Sequence, residues 1–283
     1  LRCAVNAAAG REEEYRIVAT TTPKKVIVVG GGVAGIEAAR VAALRGHKVM
    51  LCERDEKLGG QLHAASRAPY KETVAELINY LDRQVTKAGV EIKLNCEVTA
   101  DFVTKEKPDA VILATGASPL IPDIRGVTRA NVVHAVDVLT GRKDVGDRTV
   151  IIGGGMVGCE TAEFLVQKGK KVTIVEMLPR IGNDLGANYR PFVMMRLSEA
   201  DIRMETKVKV EEITNEGVRG NRDGTSEFFA GDSVVLAVGF ESNKGLAEEL
   251  KGKVASLYVV GDCVEPRRIR EAIHDAWKIS MAI

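Results

Sequence analysis

Residues 25–53 read KVIVVGGGVAGIEAARVAALRGHKVMLCE, and residues 148–176 read RTVIIGGGMVGCETAEFLVQKGKKVTIVE. The two stretches are copies of one unit. Their glycines pair as Gly30/Gly153, Gly32/Gly155 and Gly35/Gly158, their closing acids as Glu53/Glu176, and every pair is 123 residues apart. Two copies predict two similar domains; a solenoid would need more. In each copy a short, β-branched, continuously apolar run suits a strand buried on both faces. A stretch with helical spacing follows and stops at Gly46 or Gly169. A second apolar run then ends in the acid, completing a strand–helix–strand unit of the α/β class.

The glycines carry the chemistry. In a GxGxxG pattern the first glycine permits the tight turn, the second lets a pyrophosphate approach the backbone, and the third lets helix pack on strand. Phosphate would sit on the helix N-terminus, whose first N–H groups lack intrahelical partners. The acid, eighteen residues after the last glycine in both copies, can accept hydrogen bonds from ribose hydroxyls. One such pattern alone is a weak signal. Here it follows a strand, opens a helix, meets its acid and occurs twice, which reads as two dinucleotide sites; the alternative is two glycine turns that hold no nucleotide.

Composition narrows the field. The apolar runs are strand-length and broken by Gly or charge, so none can span a bilayer. Forty Lys and Arg against 39 Asp and Glu leave a net charge of +1, which excludes a global basic field for nucleic acid. Five cysteines, at 3, 52, 96, 159 and 263, form no CxxC pair and read as reduced thiols of a cytoplasmic protein. The chain starts at Leu1 with neither an initiator Met nor a signal-peptide pattern. That predicts a piece of a longer polypeptide, or a processed or engineered start. The last helical pattern runs to Ile283, so further C-terminal residues are also expected.

Two sites suggest a flavin and a nicotinamide held face to face. At this point the chain resembles the two-dinucleotide-domain flavoprotein superfamily that includes glutathione and thioredoxin reductases. Beyond the fingerprints, the resemblance rests on KLGGQL at 57–62, AVILATG at 110–116, VVLAVG at 234–239 and LYVVGD at 257–262, in that order. It implies cofactor contacts at Gly30, Gly32, Ala34, Gly35, Glu53, Arg54, Gly59, Gly60, Gln61, Ala114, Thr115, Gly116, Gly261, Asp262 and Ile273 on the FAD side. On the nicotinamide side it implies Gly153, Gly155, Gly158, Glu176 and Gly239. The order also implies two Rossmann-like domains, the second inserted in the first: a linker over 1–23, an FAD domain over 24–118 and 253–283, and an NAD(H) domain over 119–252. The stretches ASPLIPDIRGV and FESNKGLAEELKGK hold the Pro, Gly and charge of crossing linkers. A helix from about Arg268 would aim its positive N-terminus at the flavin.

Glu176 would repel the 2′-phosphate of NADP and accept from the free 2′-OH of NAD, so NADH is favoured over NADPH. Lys170, Lys171 and Arg180 lie close in sequence, and Arg180 could hold a phosphate. The chain lacks the redox Cys pair of the superfamily's disulfide reductases. Cys52, Cys96 and Cys159 read as packing residues, and Cys263, beside Asp262, as structural.

The opening LRCAVNAAAGREEEYR resembles a segment of the 2,4-dienoyl-CoA reductase, 2-enoate reductase and trimethylamine dehydrogenase family. Cys3-Ala-Val-Asn-Ala and Gly10-Arg11-Glu12 match the pattern after the last iron–sulfur cysteine, with Ala7 in place of the usual Pro. The resemblance implies an upstream FMN-bearing TIM barrel and a four-cysteine 4Fe-4S cluster. Cys3 would then be the last cluster ligand in an intact parent, with three ligands upstream of Leu1; one thiolate cannot hold a cluster that needs four. The implied route is NADH to FAD, to the cluster, to FMN, where an α,β-unsaturated substrate would be reduced. A homo-oligomer is also possible.

Hydride transfer from nicotinamide to flavin needs no protein acid or base, so no catalytic residue is assigned. Among the histidines, His47 reads as an exposed turn residue, His134 as structural, and His63 and His274 as candidates for lying near a cofactor. Glu12–Glu14 and Glu248–Glu249 read as solvated faces; Arg267, Arg268 and Arg270 could balance phosphates or dock the barrel. Three classes stay open: an NADH-dependent flavin oxidoreductase module, a non-catalytic module holding ADP, and a docking scaffold.

Overall fold

A computed structural model describes residues 3–283. The chain forms two compact units. The first takes the residues up to His63, Thr73–Ser118 and Glu241–Ile283; the second takes Ala64–Glu72 and Pro119–Phe240.

In chain order the early elements are β1 (Lys25–Val29), α1 (Val33–Leu44), β2 (Lys48–Cys52), α2 (Leu62–Ala65), α3 (Glu72–Lys87), β3 (Glu91–Lys93), α4 (Ala100–Glu106), β4 (Ala110–Leu113) and β5 (Ala117–Pro119). Next come β6 (Val132–His134), α5 (Ala135–Leu139), β7 (Arg148–Ile152), α6 (Met156–Gln167), β8 (Lys171–Val175), α7 (Arg190–Glu199) and β9 (Arg203–Glu205). The remainder is β10 (Lys209–Thr214), β11 (Gly217–Arg222), β12 (Thr225–Ala230), β13 (Ser233–Leu236), β14 (Phe240–Ser242), α8 (Gly245–Leu250), β15 (Leu257–Val259) and α9 (Ile269–Ala282).

The first unit is built on a parallel sheet in the order β15-β4-β1-β2-β3, the second on one in the order β6-β13-β7-β8-β9. The last four strands of each order correspond one to one, with β4 matched by β13, β1 by β7, β2 by β8 and β3 by β9. The fifth place differs. In the first unit it is filled by β15 from late in the chain, with Leu257 opposite Val111 and Val259 opposite Leu113. That pairing is what makes the first unit discontinuous in sequence.

Both sheets are covered on both faces, which is why β1 and β7 are apolar without alternation. In the first unit, Val26 and Val28 join α1, α3 and α9 in one core, while Ile27 and Val29 pack with Val103, Leu113 and Leu250 in another. In the second, Ile151 and Ile174 face α5, α6 and α7, while Val150, Ile152 and Val175 face the antiparallel meander β10-β11-β12. Fully burying each such side chain contributes roughly 1.5–3 kcal/mol. The meander's second hairpin turns on Asp223 (φ 51°) and Gly224 (φ 87°), the residue pair that a two-residue turn with both φ positive requires.

Two expectations need correction. The second domain was placed over 119–252, but the chain rejoins the first unit at Glu241. The reason is apolar: Leu250, with Leu246 and Ala247 beside it, packs on the core that holds Ile27 and Leu113. His47 was expected in solvent, yet it is only 5% exposed. Its Nδ1 accepts the Lys24 amide at 3.1 Å, closing the strand entry beside the α1 C-terminus, and burial lowers its pKa, helped by Arg45 and Lys24.

Candidate dinucleotide-binding sites

Each parallel sheet reverses its strand order at the central strand, β1 or β7, where doubly wound folds hold ligands at the carboxyl ends of the strands. Both glycine turns sit there. Gly30 adopts φ +105° and Gly153 φ +104°; a Cβ on either would lie 2.3 or 2.4 Å from the carbonyl oxygen of Ala114 or Ala237. A Cβ on Gly35 would fall 1.8 Å from the Gly30 carbonyl oxygen, and one on Gly158 2.0 Å from that of Gly153. These four glycines are required by backbone packing.

Gly32 is different. A Cβ there would meet nothing within 4 Å, so the backbone at the N-terminus of α1 faces open space. Walls of protein at Gly30 and Gly35 with an opening at Gly32 are the arrangement a pyrophosphate on the helix N-terminus needs.

The acids anchor the turns. Glu53 accepts the Gly31 amide through Oε2 at 2.5 Å and the Asp55 amide through Oε1 at 2.9 Å. Glu176 repeats this with Gly154 at 2.6 Å and Leu178 at 2.7 Å. Both side chains are buried. An ionised carboxylate has about four lone-pair sites, so each acid keeps acceptor capacity for a ribose hydroxyl after these two bonds.

The duplication runs further than the acids. The Gly59 amide donates to the Gly31 carbonyl at 2.8 Å and the Gly182 amide to that of Gly154 at 2.6 Å. Leu58 and Ile181 each pack on the middle glycine of their own turn. KLGGQL and RIGNDL, residues 57–62 and 180–185, are thus one structural element at the same spacing as the fingerprints. The constant spacing of 123 residues is the sequence signal for this element. Gln61 donates to the Ala117 carbonyl at 2.9 Å. Its counterpart Asp184 accepts the Met156 amide at 2.9 and 3.1 Å.

Gly60 (φ +52°) brings its Cα face to Gly32, at 3.1 Å for an added Cβ. Ala114 continues β4 by donating to the Val29 carbonyl. Thr115 Oγ1 donates to the Asn243 carbonyl at 2.9 Å, and Gly116 adopts φ +67°. Gly261 (φ +66°) lies against Ala34, whose Cβ would be 2.7 Å from one added to Gly261. Asp262 accepts the Arg267 amide at 3.0 Å, and burial pushes its carboxyl above the usual range. Gly239 adopts φ +110° in open space, and Arg54 is exposed.

Ile273 packs inside the protein. It is fully buried with Ala7, Val41 and Trp277. It lies in the second turn of α9, so its amide is already in the helical ladder and its side chain in the core. His63 holds the glycine loop through the Leu58 carbonyl at 2.8 Å, and His274 meets the Cys3 carbonyl at 3.0 Å. Arg267 and Arg270 pair with Asp275 and Glu271.

Burial and neighbouring Cys96 raise the Cys52 thiol to about 12, and burial raises Cys159 to about 12. Thiols held protonated at neutral pH are poor nucleophiles, so neither suits dithiol chemistry. Cys3 has no companions: among the described residues no group of three or more His, Cys, Asp or Glu is placed to hold a metal ion. No helix among them is long and apolar enough to cross a membrane.

Sequence reasoning missed Asn243 and the ion pair of Lys71 with Glu160. Asn243 takes or gives hydrogen bonds to Thr115, Gly116, Ser118 and Cys263. Lys71 Nζ lies 2.9 Å from Glu160 on α6, whose carboxyl burial raises against the pull of that lysine.

Two parallel sheets, each with a glycine turn and a buried acid at its switch point, define an α/β protein of the two-dinucleotide-domain class. Residues 24–278 match the family described as pyridine nucleotide-disulphide oxidoreductase, and the chain belongs to that family of oxidoreductases, which implies binding of FAD and NAD(P)H. It is 39% identical over 286 residues to a cinnamate reductase of Clostridium sporogenes, covering 99% of this chain and 42% of that protein. It is 40% identical over 291 residues to an NADH oxidase of Thermoanaerobacter brockii, covering 100% of this chain and 44% of that protein. The solved structure of a 2-naphthoyl-CoA reductase superposes with a TM-score of 0.95 at 35% identity, over 100% of this chain and 43% of that one. The chain thus spans less than half the length of these relatives.

Proposed function

We propose that this chain is the nucleotide-handling module of a longer, enoate-reductase-like enzyme, taking hydride from NADH and passing reducing equivalents to FAD. The observation that carries the proposal is the duplicated glycine turn with its buried acid. One copy would serve a bound flavin nucleotide and the other an exchanging nicotinamide nucleotide. The names of the relatives, a cinnamate reductase and an NADH oxidase, support reduction of an α,β-unsaturated substrate by NADH in the parent enzyme. Their greater length supports further domains beside this one, for which a barrel with FMN and a 4Fe-4S cluster, ligated in part by Cys3, is the candidate. Five free cysteines suit a reducing, cytoplasmic setting.

FAD, when bound, supplies the hydride acceptor and the means of sending electrons onward. The chain's own part is binding and orientation. Gly30–Gly35 and the first amides of α1 would take its pyrophosphate, Glu53 its adenosine ribose, and Gly261–Asp262 the opposite end. On the other side Gly153–Gly158 and Glu176 would hold NADH. Glu176 favours NADH over NADPH because its ionised carboxylate accepts from a free 2′-OH and repels a 2′-phosphate.

The test is direct. The purified chain with FAD should be yellow and bleach on adding NADH, with kcat/KM higher for NADH than for NADPH. Glu176→Gln should narrow that preference by about tenfold, one charged hydrogen bond's worth. A colourless protein that binds only an adenine nucleotide would instead identify a non-catalytic, ADP-holding module. An NADPH preference would overturn the assignment of Glu176.

A further inference from the structure

The two cradles are copies that differ at several positions, among them Val33/Met156, Gly60/Asn183 and Gln61/Asp184, and only the last is a difference of charge. In the first, the space over Gly32 is open and Gln61 is turned away to the Ala117 carbonyl. In the second, the matching residue is Asp184. Its carboxylate accepts the Met156 amide at 2.9 and 3.1 Å and would lie 3.2 and 3.4 Å from a Cβ on Gly155. Met156 opens α6, so its N–H is one of the donors a pyrophosphate would use. A carboxylate and a phosphate oxygen satisfy that donor by the same chemistry and cannot both hold it.

We propose that Asp184 is a displaceable stand-in for the pyrophosphate of the nicotinamide nucleotide, and that it lowers the affinity of the second cradle relative to the first. This deepens the proposed function and rests on its assignment of the second cradle to NAD(H). Asp184 is exposed and lies between Gly182 and Gly186, while Ile181 and Leu185 pin the segment by burial. The carboxylate can therefore swing out without moving the loop's anchors. When the nucleotide leaves, Asp184 returns to the N-terminus of α6, where an anion is favoured by the helix dipole. The device suits the two roles: a hydride donor must leave after each transfer, whereas a flavin nucleotide stays.

The experiment measures dissociation constants of NAD⁺, ADP-ribose and adenosine by calorimetry and NMR on the FAD-loaded chain, for the parent and for Asp184→Asn and Asp184→Ala. Removing the charge should tighten NAD⁺ and ADP-ribose by about five- to tenfold, more in Ala than in Asn, while adenosine, which has no phosphate, is unmoved. Asn retains a neutral cap, so it keeps the test open should the Ala variant fold poorly. Conversely, Gln61→Asp should weaken FAD retention about as much. If the parent binds NAD⁺ and neither Asp184 variant binds it more tightly, Asp184 is an ordinary helix cap and the proposal falls alone. If the parent binds neither NAD⁺ nor ADP-ribose, the functional reading itself falls, and the proposal with it.

Discussion

A methyl group added at Gly158 would lie 2.0 Å from the Gly153 carbonyl oxygen, well inside contact distance. The neighbour is backbone, held by the Gly153 amide bonding the Val175 carbonyl at 2.9 Å, so it cannot turn aside like a side chain. Gly158→Ala should therefore part α6 from β7, at a cost of about 1–3 kcal/mol by analogy with overpacked cores. Thermal unfolding together with an NAD⁺ titration checks this, and an unchanged midpoint with unchanged binding would refute it. Gly32→Ala meets no such wall in the protein, so its effect should fall on FAD binding and leave the unfolding midpoint near its parent value. The pair of variants separates a glycine kept for packing from one kept for a ligand.

Between β14 and α8, one side chain ties together segments far apart in sequence. Asn243 Nδ2 donates to the Thr115 carbonyl at 2.9 Å and its Oδ1 accepts from Ser118 at 2.8 Å. Its main-chain carbonyl accepts from Thr115 Oγ1 at 2.9 Å and Cys263 Sγ at 3.1 Å. Thr115 follows β4 and Cys263 follows β15, the two strands whose pairing closes the first sheet. Asn243→Ala removes the two side-chain bonds, and about 1–2 kcal/mol of stability should go with them. Urea unfolding of FAD-loaded protein measures this, and looser flavin retention should accompany it, because Thr115 lies in the same knot and Cys263 directly follows Asp262. In the sequence, Asn243 stands in a stretch of Gly, Lys and Glu that reads as a spacer; its side chain's partners, Thr115 and Ser118, lie more than a hundred residues away.

At the scale of the whole molecule, pH acts through His47. Its Nδ1 accepts an amide proton, its Nε2 is buried with no partner, and burial with Arg45 and Lys24 lowers its pKa. Folding therefore selects the neutral ring. The unfolded chain binds the proton more readily, so stability rises with pH through this window. The contribution is complete above the ordinary histidine value and is lost as pH falls through the lower folded value. Urea midpoints at neutral and mildly acid pH should fall further in the parent than in His47→Asn; equal slopes would remove His47 from the account.

Much of this protein is legible in its sequence. The duplicated strand–glycine–helix–strand pattern determined two strand–helix–strand units, because the contacts of Gly35 with Gly30 and of Gly158 with Gly153 are made within one turn of chain. The resemblance carried by LYVVGD implied that the end of the chain returns to the first sheet, where β15 pairs with β4. Tertiary structure alone decided the rest. It buried His47 and Ile273, moved 241–252 into the first unit through Leu250, and built the Asn243 knot. It also turned Gln61 away from one cradle and laid Asp184 across the other. Those outcomes depend on which surfaces meet after folding, and a side chain's partner across a hundred residues leaves no periodicity for a linear reading to find.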